Sequence, residues 1–561
     1  MPKFIIDGKE IEFTQGQTII EAAKIHGIDI PHFCWHPSLS VSGNCRMCLV
    51  EVEKMPKLVI ACSTTAAEGM VIHTQSQKTI EARNAVMEFF LINHPLDCPI
   101  CDEAGECKLQ DYAYEHSVGE SRFVEEKVHK NKRIPLGPLV MFDAERCISC
   151  SRCIRFCDEI AKDPELTFIK RGDRVTIVTY PGEEMDNPYS LNTTDICPVG
   201  ALTNRDFRFH ARVWDMSETK SICIGCSRGC NSEIWVRNNE VLRLTPRHNE
   251  DVNSYWMCDH GRVNTYKFIN ADDRVNGTYL RKEGSLVQVN WDEALNQAAA
   301  KLKSFGKDEI AFIASPYATC EDNYVLKKFA QSVIGSRHLD FMRHVDPDFG
   351  DDILRKNDVT PNTFGCEVLE ISPVKSGLNL DGIYNAIKQK KIKAVYLIDD
   401  DIISSTPELE DIFAELDLFI VHSTNFNRTT SIADIVFPSA TYAEKNGTFV
   451  NFQGRVQRIR PAVATQDVER ATEGFSLSRL DKFGTKFDRW AEKNKRDVKA
   501  AWKILTSLSA FFNNKFKYDL PEDVFDEISK NIKAFNKLDY DVIGEKGILL
   551  ENINKEHSIK V

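Results

Sequence analysis

The cysteines are the residues of this chain whose type and spacing could do chemistry. Sixteen of the 18 cysteines lie between Cys34 and Cys258, where they fall into four groups with short internal spacings. Thiolates repeated at such spacings are typical ligands of iron–sulfur clusters. The N-terminus has no apolar export signal, so we expect a reducing compartment, in which such thiols bind metal more often than they form disulfides. The pattern therefore predicts a row of four metal clusters.

The first group predicts a [2Fe–2S] cluster. It consists of a wide loop, a CxxC pair and a distant fourth cysteine: Cys34, Cys45, Cys48 and Cys62. This spacing departs from the plant-type C-x4-C-x2-C run but keeps its arrangement. Gly43 and Asn44 permit backbone angles that turn N–H groups toward sulfur. A zinc site is the alternative, and the β-rich pattern ahead of this group favours the [2Fe–2S] cluster.

The second group predicts a [4Fe–4S] cluster with one histidine ligand. Cys98, Cys101 and Cys107 supply only three thiolates, and His94 is the nearest candidate for the fourth position. A set of three cysteines and one histidine would suit zinc about as well, but its place between two other cysteine groups favours iron and sulfur. An imidazole in place of a thiolate removes negative charge, so we expect a raised reduction potential.

The third group offers five cysteines to a cluster that needs four ligands. Four of them form the C-x2-C-x2-C-x3-C run of bacterial ferredoxins, but Asp158 stands where that run has proline. The Cys-Pro pair occurs instead at Cys197. We therefore expect a [4Fe–4S] cluster on the following four residues: Cys147, Cys150, Cys153 and Cys197. Cys157 is then left over.

The fourth group predicts a third [4Fe–4S] cluster. It is a tight triplet with one remote member: Cys223, Cys226, Cys230 and Cys258. Four thiolates also suit zinc, but the triplet spacing and the neighbouring groups favour the cubane. The two remaining cysteines, Cys320 and Cys366, are isolated, and we expect them to be buried thiols.

The first cysteine group must be positioned by short strands and a helix. Asp7 and Gly8 predict a hairpin turn between two strands. Thr18 and Glu21 predict a capping box for a helix that ends at Gly27. These signals indicate a small β-rich module around the first site.

The sequence beyond residue 270 has a different character. Apolar runs at 309–314, 394–398 and 418–421 alternate with helical patterns, which predicts a parallel α/β sheet. Apolar stripes around Trp502 and Ile528 predict helices that belong either to a core or to a partner surface.

These patterns predict a multidomain protein of mixed α/β and α+β class with six domains. They are a [2Fe–2S] ferredoxin-like β-grasp domain at 1–78, a [4Fe–4S] module with one histidine and three cysteines at 79–118, a ferredoxin-type [4Fe–4S] domain at 119–215, a four-cysteine [4Fe–4S] domain at 216–270, an α/β domain at 271–475 and a helical C-terminal extension at 476–561.

Bulk composition excludes several classes of function. The 561 residues exceed one domain, and 42% hydrophobic residues suffice for real cores. A net charge of -12 argues against a nucleic-acid binder, and no apolar run is long enough to span a membrane. There is neither a GxGxxG fingerprint nor a Walker loop. Candidate redox centres without a substrate site indicate an electron relay.

The four groups, in this order, resemble the large iron–sulfur (G-type) subunit of bacterial NADH–quinone oxidoreductase, respiratory complex I. The resemblance rests on segments 43–48, 94–107 and 147–156 and, beyond the clusters, on 291–294, 433–438 and 447–457. It implies that His94 and Cys197 are cluster ligands. It also implies that the α/β domain is a molybdopterin-oxidoreductase-like scaffold without molybdenum.

The resemblance further implies the partners and the location. Electrons would arrive from a flavin subunit that oxidises NADH and leave through a ferredoxin-like subunit toward quinone. A small [2Fe–2S] subunit would complete the neighbourhood, and the complex would hold the chain at the cytoplasmic face of the bacterial inner membrane.

Three alternatives share part of this pattern. An NAD-linked formate dehydrogenase-like molybdenum enzyme shares the cluster modules, but His260 stands where such enzymes usually carry a lysine, and Glu follows both Cys320 and Cys366. A hydrogenase-associated diaphorase subunit also shares the modules. A zinc-rich scaffold would not explain the ferredoxin-type run.

Overall fold

The computed structural model describes residues 1–117, 119–467, 475, 477–482, 488–491 and 494–550. Of the predicted C-terminal extension, residues 476, 483–487, 492–493 and 551–561 lie outside the described part. The chain divides into two units, Met1–Trp214 and Asp215–Val561. None of the described helices is both long enough and apolar enough to cross a membrane.

The described part of the first unit contains ten short strands and five α-helices. Its strands are β1 (Lys3–Ile6), β2 (Lys9–Glu12), β3 (Leu49–Val52), β4 (Val59–Ile60), β5 (Val71–His73), β6 (Ile134–Pro135), β7 (Val140–Phe142), β8 (Leu166–Ile169), β9 (Thr176–Thr179) and β10 (Leu202–Asn204). Its helices are α1 (Ile19–Ile25), α2 (Gln77–Asn93), α3 (Lys108–His116), α4 (Arg152–Glu159) and α5 (Asn192–Asp195).

A five-stranded sheet in the order β2-β1-β5-β3-β4 organises the N-terminal part of this unit. The predicted hairpin is confirmed: β1 and β2 pair antiparallel, and Asp7 and Gly8 both have positive φ, as a type I′ turn requires. The predicted capping box is confirmed too, because the Thr18 N–H donates to Glu21 Oε2 at 2.8 Å. The inner face of α1 packs on the sheet.

The second unit is larger, and thirteen strands lie in its described residues. They are β11 (Ser217–Ile222), β12 (Asn231–Arg237), β13 (Glu240–Pro246), β14 (Thr278–Lys282), β15 (Ser285–Val289), β16 (Ile310–Ala314), β17 (His338–Phe341), β18 (Ala394–Ile398), β19 (Leu418–Ser423), β20 (Ile435–Pro438), β21 (Gly447–Val450), β22 (Arg455–Ile459) and β23 (Ile548–Leu549).

Twelve α-helices accompany these strands in the same described residues. They are α6 (Asp259–Asn270), α7 (Trp291–Lys303), α8 (Cys320–Lys328), α9 (Thr363–Val368), α10 (Leu380–Lys388), α11 (Ile402–Ser405), α12 (Leu409–Phe413), α13 (Arg428–Ile432), α14 (Arg479–Lys482), α15 (Ala501–Ser509), α16 (Pro521–Asn531) and α17 (Tyr540–Ile543).

The predicted parallel sheet is confirmed as the centre of the second unit. Seven strands run in the order β15-β14-β20-β19-β18-β16-β17, and the five from β20 to β17 are parallel. β16, β18 and β19 are buried along their whole length, as expected of strands covered on both faces. Alternate residues therefore enter two different cores; Phe312 packs in one and Ile313 in the other.

The C-terminal helices complete one of these cores. Trp502 of α15 and Ile528 of α16 are buried in the same cluster as Phe312 of the central sheet. Each buried side chain of this size contributes about 1.5–3 kcal/mol. Of the two expectations for the apolar stripes, the structure supports a core. The six domain boundaries themselves stay predictions.

Candidate iron–sulfur sites

The first site lies on the loops around β3 and β4. All four thiols of the group are buried. The Cys34 thiol contacts those of Cys45 and Cys62, and Cys48 contacts Cys62. Hydrogen bonds between the thiols lower the pKa of Cys34 and raise the pKa of Cys45 and Cys62. The structure thus brings the four predicted ligands together.

The loop between Cys34 and Cys48 has the backbone that a cluster needs. Gly43 has a φ of 64° and Arg46 a φ of 60°, both in the left-handed region. A non-glycine residue in this region is uncommon and is held by its surroundings. Successive N–H groups can then face the sulfurs. Converging buried thiols and this loop fit a [2Fe–2S] cluster.

The second site follows α2, which ends at Asn93 with His94 as its C-cap. Cys101 and Cys107 are buried, whereas Cys98 is exposed. Burial, and then the charges of Arg146 and Lys127, lower the pKa of His94 to about 4. The imidazole is therefore neutral at pH 7 and keeps a lone pair for a metal.

A glycine leaves room for sulfur at the second site. A Cβ on Gly200 would lie 2.3 Å from Cys101 Sγ, which is closer than any real contact. The same loop touches Cys107, since Cys107 Sγ lies 4.0 Å from the Pro198 carbonyl oxygen. The residues fit a cluster held by three thiolates and one imidazole, although no direct contact between His94 and a cysteine is described.

The third site is a small cavity lined by four thiols. These are Cys147, Cys150, Cys153 and Cys197. Ser149 and Ser151 have φ values of 55° and 61°, and the Ser149 N–H donates to Cys147 Sγ at 3.4 Å. This turn and the four thiols, of which Cys150 and Cys153 are buried and the other two half-buried, fit a [4Fe–4S] cluster.

Cys157 does not line the third cavity. It lies one turn after Cys153 on α4, and it is fully buried. Burial, and then the carboxylates of Glu165 and Asp163, raise its pKa to about 12. Cys197 instead faces the Cys150 thiol. This arrangement favours Cys197 as the fourth ligand, and the ligand set stays a prediction.

The fourth site lies in the second unit, between β11, β12 and the start of α6. All four thiols are buried, and Cys258 is the N-cap of α6, with its sulfur 3.4 Å from the Gly261 N–H. A Cβ on Gly261 would lie 2.7 Å from Cys223 Sγ. Burial, and then the neighbouring thiols, raise the pKa of Cys223 and Cys230 well above the usual value. A cationic iron–sulfur core would stabilise these thiolates, so the site fits a cluster.

Two features connect the three sites of the first unit. Arg152 is buried and donates to the carbonyl oxygens of Trp35 at 2.5 Å and Ile196 at 3.0 Å. Burial lowers the pKa of Arg152. Nearby thiols of the first and third groups oppose this shift only in part. The 197–200 loop likewise touches both the second and the third group. Neighbouring clusters in this unit would therefore share these contacts.

Sequence reasoning missed three of these residues. Arg152 stands inside the ferredoxin-type run, where its position between two cysteines was the available signal. Gly200 and Gly261 each lie three residues after a predicted ligand, Cys197 and Cys258. Nothing in the sequence indicated that their missing Cβ makes room for a sulfur.

In the described residues no three or more His, Cys, Asp or Glu side chains form an evident single-ion metal site. Cys320 and Cys366 are both fully buried, as expected, and lie beside Asn362 and Asn323. His260 packs on the Phe349 ring with centroids 4.9 Å apart. The candidate cluster ligands of the described chain therefore remain those of the four groups.

Five protein families match consecutive parts of the chain. A 2Fe-2S iron-sulfur cluster binding domain matches residues 2–77, and an NADH-ubiquinone oxidoreductase-G iron-sulfur binding region matches 83–122. The ferredoxin-like domain of NADH-quinone oxidoreductase subunit 3 matches 137–203. An NDSU1/NuoG-like 4Fe-4S domain matches 216–265, and molybdopterin oxidoreductase matches 274–365 and 372–471. The expected succession of fold types is confirmed.

Curated relatives carry a consistent name. The G-type subunit of the NADH-quinone oxidoreductase of Rickettsia bellii is 44% identical over 337 residues, covering 59% of this chain and 48% of that protein. The G-type subunit from Streptomyces coelicolor is 39% identical over 343 residues, covering 61% and 40%. A mitochondrial NADH dehydrogenase [ubiquinone] iron-sulfur protein 1 of Solanum tuberosum is 43% identical over 326 residues, covering 57% and 43%.

These relatives confirm the resemblance to G-type subunits, and the chain spans about half the length of the relatives that it matches. Among solved structures, a chain of the H2-reduced NAD+-reducing [NiFe]-hydrogenase aligns at 30% identity, covering 38% of this chain and 91% of that chain. Its TM-score is 0.34, so no conclusion rests on it.

Proposed function

We propose that this chain, whose iron–sulfur domains are similar to those of the G-type subunits of NADH–quinone oxidoreductase, is an electron-relay subunit of such a complex. The observation that carries the proposal is the grouping in one unit of three sets of candidate cluster ligands, most of them buried, joined by Arg152 and the 197–200 loop. A relay needs such neighbouring sites and needs no substrate pocket of its own.

We infer that sixteen side chains hold one [2Fe–2S] and three [4Fe–4S] clusters. When bound, these clusters supply one-electron transfer without a change in the protein's covalent structure. The chain's own contribution is to bury most of the thiolates, turn backbone N–H groups toward sulfur and keep His94 neutral. Hydrogen bonds and burial of this kind set the reduction potentials.

The partners follow from the same proposal. A flavin subunit that oxidises NADH and a small [2Fe–2S] subunit would stand on the electron-donating side, and a ferredoxin-like subunit on the accepting side, toward quinone. The complex would hold the chain at the cytoplasmic face of the bacterial inner membrane, and we expect no molybdenum.

Metal analysis tests the proposal directly. Iron, acid-labile sulfide, zinc and molybdenum are measured on the anaerobically purified full chain. We expect about 14 iron atoms per chain, two from the binuclear cluster and four from each cubane. About 10 iron atoms would mean that one cubane is missing. Stoichiometric molybdenum would favour the formate dehydrogenase-like alternative, and zinc in place of iron would refute both.

A further inference from the structure

The second unit contains a cavity of about 460 Å³ that the proposed electron relay does not use. It lies where β18, β19 and β20 end, at the carboxyl edge of the parallel sheet. Ligands of open α/β sheets bind in the crevice outside this edge. The volume is within the range of small-molecule sites.

Three consecutive carboxylates follow β18 at this edge. Asp399, Asp400 and Asp401 all line the cavity. The Asp399 side chain is only 5% exposed; the Ser439 hydroxyl lies beside it, but its Oδ1 accepts no well-aligned hydrogen bond from a described residue. Asp400 is paired with His344, whose Nε2 lies 3.0 Å from Asp400 Oδ2. A buried carboxylate oxygen without a partner is costly and needs an explanation.

The positive charge near the cavity is already engaged. Lys445 is the one Lys or Arg among the described lining residues. Its Nζ lies 2.7 Å from Asp322 Oδ2 and 3.4 Å from Asp399 Oδ2. With Asp322 included, four carboxylates face Lys445 and His344. Counted formally, the carboxylates outnumber the cations here; burial raises the pKa of Asp399 and Asp400, and a bound cation would favour their ionised form.

This cavity does not suit the cofactor named by the family that matches the region. Molybdopterin carries a phosphate, and proteins bind phosphate with Arg, Lys or free N–H groups at helix starts. At the start of α11, the Asp401 carboxylate itself accepts the Ser404 N–H at 3.2 Å. An anion would meet three carboxylates and no free cation among the described lining residues, so the residues present do not fit that group.

We propose that this cavity binds a small organic cation, a ligand with one or more protonated amines. Asp399 would supply the unpaired oxygen, and Thr441 has a buried hydroxyl oxygen that is likewise without a hydrogen bond in the described structure. Tyr317 and Phe268 add aromatic walls, which favour cations of low hydration. The space exceeds what a single metal ion needs.

Isothermal titration calorimetry on the anaerobically purified, cluster-loaded full chain tests the proposal. The probes are 1,4-diaminobutane, MgCl2 and pyrophosphate, each titrated separately. We expect saturable binding of the diamine alone. Saturable binding of pyrophosphate, heat from MgCl2 equal to that from the diamine, or no binding of the diamine would each overturn the proposal.

Variants connect the binding to the cavity. Asp399→Asn should weaken diamine binding at least tenfold, whereas Asp417→Asn, at the opposite edge of the sheet just before β19, should change it less than twofold. Ser404→Lys places a tethered cation at the exposed rim and should also abolish binding, with an unchanged melting temperature of the unliganded protein. If Asp399→Asn does not fold, Ser404→Lys decides. Unchanged affinity in the folded variants would overturn the assignment.

The proposed electron relay and the proposed cation site can be refuted independently of each other. A chain that holds about 14 iron atoms but does not bind the diamine would support the proposed electron relay and refute the cation site. A chain that binds the diamine but holds no iron would support the cation site and refute the electron relay.

Discussion

His94 differs chemically from the fifteen cysteines proposed as ligands. A thiolate brings a negative charge to a cluster, whereas an imidazole brings none. The burial that lowers the pKa of His94 to about 4, together with Arg146 and Lys127, keeps the ring neutral over the physiological range. A ring in this state can bind iron without first losing a proton.

Replacing His94 with cysteine should lower the reduction potential of the second cluster. The added thiolate charge stabilises the oxidised form, by on the order of 100 mV if the effect resembles the His-for-Cys exchange of Rieske centres. A potentiometric titration followed by EPR measures the shift. His129→Cys, at an exposed position of the following linker, is the control and should change nothing. An unshifted potential in His94→Cys would remove His94 from the ligand set.

Cys157 and Cys197 give a paired prediction at the third site. Cys197→Ser should remove about four iron atoms per chain, because Cys197 lines the cavity beside Cys150. Cys157→Ser should leave the iron content unchanged, because Cys157 faces Glu165 and Asp163. Iron analysis and EPR of both variants are compared with the unmodified chain. The opposite pattern would make Cys157 the ligand.

At the scale of secondary structure, the start of α8 is an unusually polar point of the core. Glu321 and Asp322 are fully buried there. Asp322 is paired with Lys445. Glu321 accepts hydrogen bonds from the Thr448 N–H and hydroxyl and from the Tyr540 hydroxyl, each at 2.9 Å. The helix, β21 and α17 are thus held together by one carboxyl group.

Burial raises the pKa of Glu321 to about 7, although hydrogen bonds from Thr448 oppose the shift. Because the folded pKa lies above the unfolded value, protonation stabilises the folded state, and this stabilisation is lost as the pH rises from about 4.5 to about 7. We expect the free energy of unfolding, relative to Glu321→Gln, to fall by about 1–3 kcal/mol across this interval.

Urea unfolding of both proteins at about pH 5.5 and about pH 8 measures this effect. Glu321→Gln should be the less pH-dependent of the two, because its amide does not titrate. Glu283→Gln, at an exposed turn between β14 and β15, is the matched control and should follow the unmodified chain. An identical pH dependence in Glu321→Gln would contradict the raised pKa.

At the scale of the whole molecule, the chain consists of two units with separate ligand sets. The first unit contains the first three candidate sites and its own apolar core around the β1–β5 sheet. The second contains the fourth site, the parallel sheet and the C-terminal helices. Each unit buries its own apolar residues, as an independently folding domain does.

A fragment ending at residue 214 should therefore fold and hold three clusters. We expect about ten iron atoms per fragment after anaerobic reconstitution, against about 14 for the full chain. Iron analysis and size-exclusion chromatography give the result. Aggregation of the fragment, or a content near six iron atoms, would show that the first unit depends on the rest of the chain.

Features that depend on local spacing could be predicted from the amino-acid sequence alone. The hairpin at Asp7-Gly8, the capping box at Thr18 and the parallel strands could be predicted because turn chemistry, capping and apolar periodicity act over a few residues. The cysteine groups were recognisable for the same reason, because most ligands of one iron–sulfur cluster lie close together in the sequence.

Features that depend on contacts between residues distant in sequence became visible only in the folded chain. The Cys-Pro pair already favoured Cys197 over Cys157, but only the packing of α4 shows that Cys157 lies away from the third cavity, near Glu165 and Asp163. The roles of Arg152, Gly200 and the Asp399 cavity likewise depend on how distant segments pack. Their roles arise from the space, charge and missing partners around them, and folding creates these only when distant segments meet.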